Sequence, residues 1–124
     1  NLSVTYTGAE IAANYMEGGY YSLDAEQGKT FVIVGIDITN SGADEIAIDN
    51  FAKTPKFSVM VNGQEKAEEE NTILPSDFAL YQETVPAGVT ENTILLFQVP
   101  DSVTIVDSLD LFVNISGPNY QITL

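Results

Sequence analysis

Residues 30–49 read TFVIVGIDITNSGADEIAID, and the fold turns on their period. Val32, Val34, Ile36 and Ile38 alternate onto one face, the spacing of a β-strand and not of a helix. Phe31 and Ile33 make the opposite face apolar near the start, whereas Asp37 and Thr39 make it polar near the end. This predicts a central strand over 30–39 whose second face is covered at one end only. Asn40-Ser41-Gly42 then breaks the pattern, and 45–49 resumes it with Ile46 and Ile48 inward. The break is either a turn or, given Asp37, Asp44, Glu45 and Asp49 around it, part of a site.

The same period recurs on both sides. Leu2, Val4 and Tyr6 alternate with Ser3, Thr5 and Thr7; Phe57, Val59 and Val61 repeat the pattern. So do Leu95, Phe97 and Val99, then Leu109, Leu111, Val113 and Ile115, and finally Tyr120, Ile122 and Leu124. Residues 8–16 suit either a helix or a strand, with Ile11, Ala13 and Tyr15 alternating, until Glu17-Gly18-Gly19 ends the element. Asn62-Gly63 is a hairpin signal, since both residues tolerate positive φ. The return at 64–70 is charged enough to be an edge strand or loop. Residues 71–80 read as a polar stretch, and Pro86-Ala87-Gly88 and Gly117-Pro118 as turns. Seven to eight short strands with such turns predict an all-β fold, an immunoglobulin-like antiparallel β-sandwich occupying residues 1–124 as one domain. A parallel sheet would need amphipathic helices between strands, and none is visible.

Composition narrows the chemistry. The chain has 124 residues, enough for one core without staples. Its 18 Asp and Glu oppose four Lys, for a net charge of −14. Such a balance repels phosphate backbones and anionic membrane surfaces, so no nucleic-acid partner is expected. Without Cys or His there is no thiolate nucleophile, no Ser-His-Asp triad, and no ligand set for zinc or haem. Oxygen-ligand chemistry remains: Ca²⁺, Mg²⁺ or paired carboxylates. No run is long enough to span a membrane as a helix. The chain begins at Asn1 and not Met, as expected of a trimmed ectodomain whose leader and anchor have been removed.

The stretch AEQGKTFVIVGIDITNSGADEIAI, residues 25–48, resembles a telokin-like, immunoglobulin-type family of unknown function carried by Gram-positive lipoproteins and secreted proteins. The residues that carry the resemblance are Gly28, Lys29, Phe31, Val32, Val34, Ile36, Ile38, Thr39, Asn40 and Gly42. Phe57, the turn of Pro86 and Gly88, and Phe97-Gln98-Val99-Pro100 continue it in order, so that it covers residues 25–115. Ala87 between Pro86 and Gly88, and Asn92-Thr93 where a Gly often stands, depart from the pattern. The resemblance implies an extracellular sandwich domain, anchored to the cell surface through an N-terminal lipid-attachment segment, with no catalytic residues to carry over.

Candidate sites are few. Asp44, Glu45 and Asp49 flank a turn and offer oxygen ligands to Ca²⁺, but no D-x-[DN]-x-[DN]-G loop is present; a solvated surface is the simpler reading. Glu68-Glu69-Glu70 reads as a wet edge or a lure for a basic partner. Tyr15, Tyr20 and Tyr21 surround the double glycine, and two adjacent tyrosines cannot both face one side of a strand. One exposed ring there could stack on a sugar or anchor a protein, although a ring lying over a sheet edge is the commoner case. Two sequons, Asn1-Leu2-Ser3 and Asn114-Ile115-Ser116, are short enough to arise by chance. No constellation meets the roles of a catalytic site. The expectation is a monomeric, non-enzymatic cell-surface interaction or spacer module without cofactor, meeting a protein or glycan; the alternative is a binding domain for carbohydrate or Ca²⁺.

Overall fold

Each alternating run becomes a strand in the computed structural model, which describes residues 2–17, 19, 21–50, 56–64, 66–70, 76–114 and 119–123. Chain order among the described residues is β1 (Leu2–Ala12), β2 (Asn14–Glu17), β3 (Tyr21–Asp24), β4 (Lys29–Asn40), β5 (Ile46–Asp49) and β6 (Lys56–Val61). It continues through β7 (Ala67–Glu68), a 3₁₀ turn (Phe78–Leu80), β8 (Gln82–Val85), β9 (Thr90–Pro100), β10 (Leu109–Asn114) and β11 (Asn119–Thr123). The tally exceeds the seven or eight strands expected because β2 and β7 lie in segments whose reading is open, and β3 and β8 lie where no strand is expected. In β8 only Val85 is buried, so its strand character comes from antiparallel pairing with β5 and not from its own alternation.

Two main sheets form the sandwich, one ordered β1-β4-β9 and the other β11-β10-β6-β7. Every pairing between named strands is antiparallel. The predicted central strand is β4, between β1 and β9. Its Val32, Val34 and Ile36 join Leu95, Phe97 and Val99 of β9 and meet Phe57, Val59, Val61, Leu109 and Leu111 across the layer. Burying a ring such as Phe97, which is fully enclosed, is worth roughly 1.5–3 kcal/mol.

The second face of β4 is covered at one end, as its sequence requires. Phe31, Ile33 and Leu96 form a smaller cluster there, against which Tyr15 and Leu23 of the β2–β3 hairpin pack. At the uncovered end the cross-strand pairs are polar: Asn92 Nδ2 donates to Asp37 Oδ1 at 2.7 Å, and the Thr39 and Thr90 hydroxyls lie 2.9 Å apart. The ambiguous segment 8–16 is extended. β1 runs to Ala12 with Ile11 toward the sandwich core, the chain bends at Ala13, and Tyr15 turns to the opposite face. A third cluster, Ile38, Ile48, Tyr81 and Val85, joins the far end of β4 to β5 and β8.

Turns behave as their residues dictate. Asn62 and Gly63 both take positive φ, 55° and 73°, and Gln64 N donates to Val61 O at 3.0 Å, so the β6–β7 hairpin is the predicted one. The charged return forms the two-residue edge strand β7. Gly117-Pro118 and residues 71–75 of the polar stretch lie outside the described residues.

Candidate functional site

The break after β4 is held by one side chain. Asn40 is fully buried; its Nδ2 donates to Asp44 O at 2.8 Å and to Val85 O at 2.9 Å. Its Oδ1 accepts from Gly42 N at 3.0 Å. A buried amide so satisfied fixes a turn. Asp44 and Glu45 are exposed on that turn and Asp49 is half-buried on β5. The described residues contain no group of three or more acids placed to hold a metal ion, so the structure does not gather Asp44, Glu45 and Asp49 into a cation cage.

The tyrosines divide likewise. Tyr15 is half-buried against the Phe31 cluster, and its hydroxyl donates to Glu17 Oε1 at 3.2 Å. Ser76 Oγ donates to the same oxygen. Burial, reinforced by the Glu17 charge, raises the Tyr15 hydroxyl above its usual range. Tyr20 and the side chain of Tyr21 lie outside the described residues.

At the outer edge of β9, Glu69 of the triple-Glu run meets Asp77, a pairing that the sequence does not reveal. Glu69 bridges to Phe97 and Asp77 to Ile94, and Glu70 N donates to Leu96 O while Ile94 N donates to Ser76 O. The two flanking segments thus cover that edge and bring the Glu69 and Asp77 side chains into a hydrogen bond. Asp77 is 1% exposed and accepts from Ala79 N at 3.0 Å, capping the 3₁₀ turn. Glu69 Oε2 is buried without a partner. Burial, then the charge of Asp77 and their hydrogen bond, then Glu70, push the Glu69 carboxyl up to about 8, so it keeps its proton at neutral pH. Only its triple-Glu run was visible in sequence; its partner lies eight positions on in a stretch read as polar loop.

Two grooves remain. One, of about 450 Å³, is lined by Lys29, Lys66, Glu68, Glu70 and Gln98 over Val61 and Val99. Four of its polar side chains are engaged: Gln98 Nε2 donates to Glu70 Oε1 at 2.7 Å, Lys29 stands 3.9 Å from Glu26, and Lys66 sits 3.9 Å above the Phe112 ring. The other groove, of about 260 Å³, is mainly apolar, with Asn50 as the polar side chain among the described residues that line it. Leu2 and Val4 of β1, Ile38 of β4, Ile46 and Ile48 of β5, and Phe78 line it. Leu2 and Val4 are 44% and 54% exposed, although they continue the inward face of β1.

This second groove lies between two open strand edges. Among the described residues β1 pairs only with β4 and β5 only with β8. Unpaired N–H and C=O groups beside an exposed apolar strip are what an added strand would engage. A bulge after Tyr6 limits the regular edge to Leu2–Tyr6: Thr7 is the extra residue, unpaired between Tyr6–Ile36 and Gly8–Gly35. No charged residue occurs before Glu10, so this strip lacks the Lys or Glu that blunts the β7 edge.

No family profile matches the chain, and no curated protein matches it in sequence. Solved structures do match. An uncharacterized β-sandwich protein from Clostridium difficile 630 shares 18% identity, with a TM-score of 0.59 over 99% of this chain and 85% of that one. The "putative lipoprotein" ycdA from Bacillus subtilis shares 13% identity at a TM-score of 0.52; 99% of this chain aligns with 36% of it. The yjhA protein from Bacillus subtilis shares 13% identity at a TM-score of 0.53, over 99% of this chain and 91% of that one. These likenesses establish an antiparallel β-sandwich shared with proteins of unknown function.

Proposed function

We propose that the chain is a non-enzymatic interaction module of a bacterial lipoprotein or secreted protein, of telokin-like, immunoglobulin type, working at a Gram-positive cell surface. The observation that carries the reading is the apolar groove between the open edges of β1 and β5. It is a surface suited to another chain, whereas nothing in it is suited to bond cleavage. Contiguous exposed apolar surface next to unpaired strand edges marks binding on soluble domains. The charge of −14 favours solubility and repels nucleic acid. The likeness to a protein described as a "putative lipoprotein" supports the cell-surface address.

The test is surface accessibility in the native bacterium. The full-length gene product, tagged at its C-terminus, is challenged with a membrane-impermeant amine-reactive label and with protease on intact cells. Labelling and cleavage without lysis are expected, along with a leader carrying a lipid-attachment Cys or signal-peptidase site upstream of residue 1. A product protected until lysis would overturn the address.

A further inference from the structure

Resting on the reading of this domain as an interaction module, we propose that the β1–β5 groove binds an extended segment of a basic partner protein, which pairs as an added strand with Leu2–Tyr6. Three observations converge on that occupant.

The first is shape. Between the open edges of β1 and β5 lies a groove whose floor is Ile38 and whose walls are Leu2, Val4, Ile46, Ile48 and Phe78. A strand laid along β1 places every second side chain toward that floor. Half of the β1 backbone groups point away from β4 in an antiparallel ladder and meet the newcomer.

The second is length. The bulge at Thr7 twists the edge and ends the regular register, so about five residues can pair before geometry fails. This bounds the recognition element to a short peptide and disfavours an extended sheet growing along the whole of β1.

The third is charge. The strip itself is neutral, so burying it strands no ion. Acids stand nearby in the chain: Asp44 and Glu45 are exposed just before β5 and Asp49 lies on it, while no lysine is among the described residues that line the groove. An incoming strand that alternates apolar residues with Lys or Arg would satisfy both surfaces, and the whole-molecule field would steer it. A second copy of this chain fits poorly, because two chains with a net charge of −14 each would be brought together.

The experiment is selection of a displayed library of random 12-residue peptides on the 124-residue chain, followed by synthesis of the leading peptide. Enriched sequences should alternate apolar and basic residues. Binding measured by fluorescence anisotropy should weaken at least tenfold for Val4→Lys, about 1.4 kcal/mol, and stay unchanged for Ile105→Lys, which alters an exposed residue outside the groove. Hydrogen exchange should slow at amides within Leu2–Tyr6. N-methylating alternate peptide backbone nitrogens on the pairing edge should abolish binding, a readout that needs no folded variant. Enrichment of acidic or non-alternating peptides, indifference to N-methylation, protection elsewhere, or no enrichment at all would each overturn the proposal. The cell-surface address has its own readout in intact cells, so either can fail without the other.

Discussion

Asn40 Nδ2 donates to Val85 O across 45 positions of sequence, at 2.9 Å in a fully buried site. That bond joins the end of the central strand to β8, and with the bonds to Asp44 O and from Gly42 N it shapes the turn on which the acids sit. Asn40→Ala removes all three and leaves buried backbone groups unpaired. A loss of about 3–5 kcal/mol is expected, read by urea denaturation. Asn40→Asp should be comparably destabilising at pH 7, because it faces two carbonyl oxygens with an anion, and should recover part of that loss near pH 4.

Glu69 makes stability depend on pH in the direction opposite to a salt-bridged carboxylate. The unfolded chain releases this proton near 4.5, whereas the folded site holds it to about 8. Between those values the folded state binds the extra proton, so stability falls as pH rises through the window and levels off above it. Urea titrations from pH 6 to 9, where ordinary carboxylates are already ionised, should show a slope approaching about one proton. Glu69→Gln should flatten it and be the more stable form at pH 9. An unchanged slope in the variant would place the proton elsewhere.

Gly35 is needed for contact and not for backbone freedom. A Cβ built there would clash with Oγ1 of Thr7, the bulged residue of β1. Gly35→Ala should cost about 1–3 kcal/mol by overpacking. In a Thr7→Ala background the same change should cost distinctly less, since the nearest remaining contacts are at 3.6 Å. A double-mutant cycle with no coupling would contradict this geometry.

Asn62 serves both a turn and a loop. Its φ of 55° suits the hairpin, while its Oδ1 accepts from Asp107 N and Ser108 N and its Nδ2 donates to Ile105 O. Asn62→Gly keeps the backbone preference and loses all three bonds. A destabilisation of about 1–2 kcal/mol is expected, with faster hydrogen exchange at Asp107 and Ser108 but not in β4.

Salt should stabilise the domain. With 18 acids against four lysines, mutual repulsion dominates the surface, and the Lys29–Glu26 pair at 3.9 Å is exposed and weak. Raising NaCl from about 10 to about 150 mM shortens the screening length to about 8 Å and should raise Tm by a few degrees. A flat response would mean the charges are compensated locally.

The alternation at Val32–Ile38 determined β4, its central position and its half-covered second face, because a period of two is a local property that burial on two faces writes directly into residue type. Asn62-Gly63 determined its hairpin for the same reason: positive φ is a demand on those two residues alone. β3 and β8 were not legible, since their strand character comes from partners. The acids Asp44, Glu45 and Asp49 and the tyrosine at 15 could be named as candidates, but whether they converge depends on distances that no local pattern encodes. Only the tertiary structure decided that Asn40 is a buried clasp, that Glu69 meets Asp77, and that Leu2 and Val4, inward by their period, border an open groove. Each of these joins segments distant in sequence, where the outcome is set by which strand edges are left unpaired once the sheets have packed.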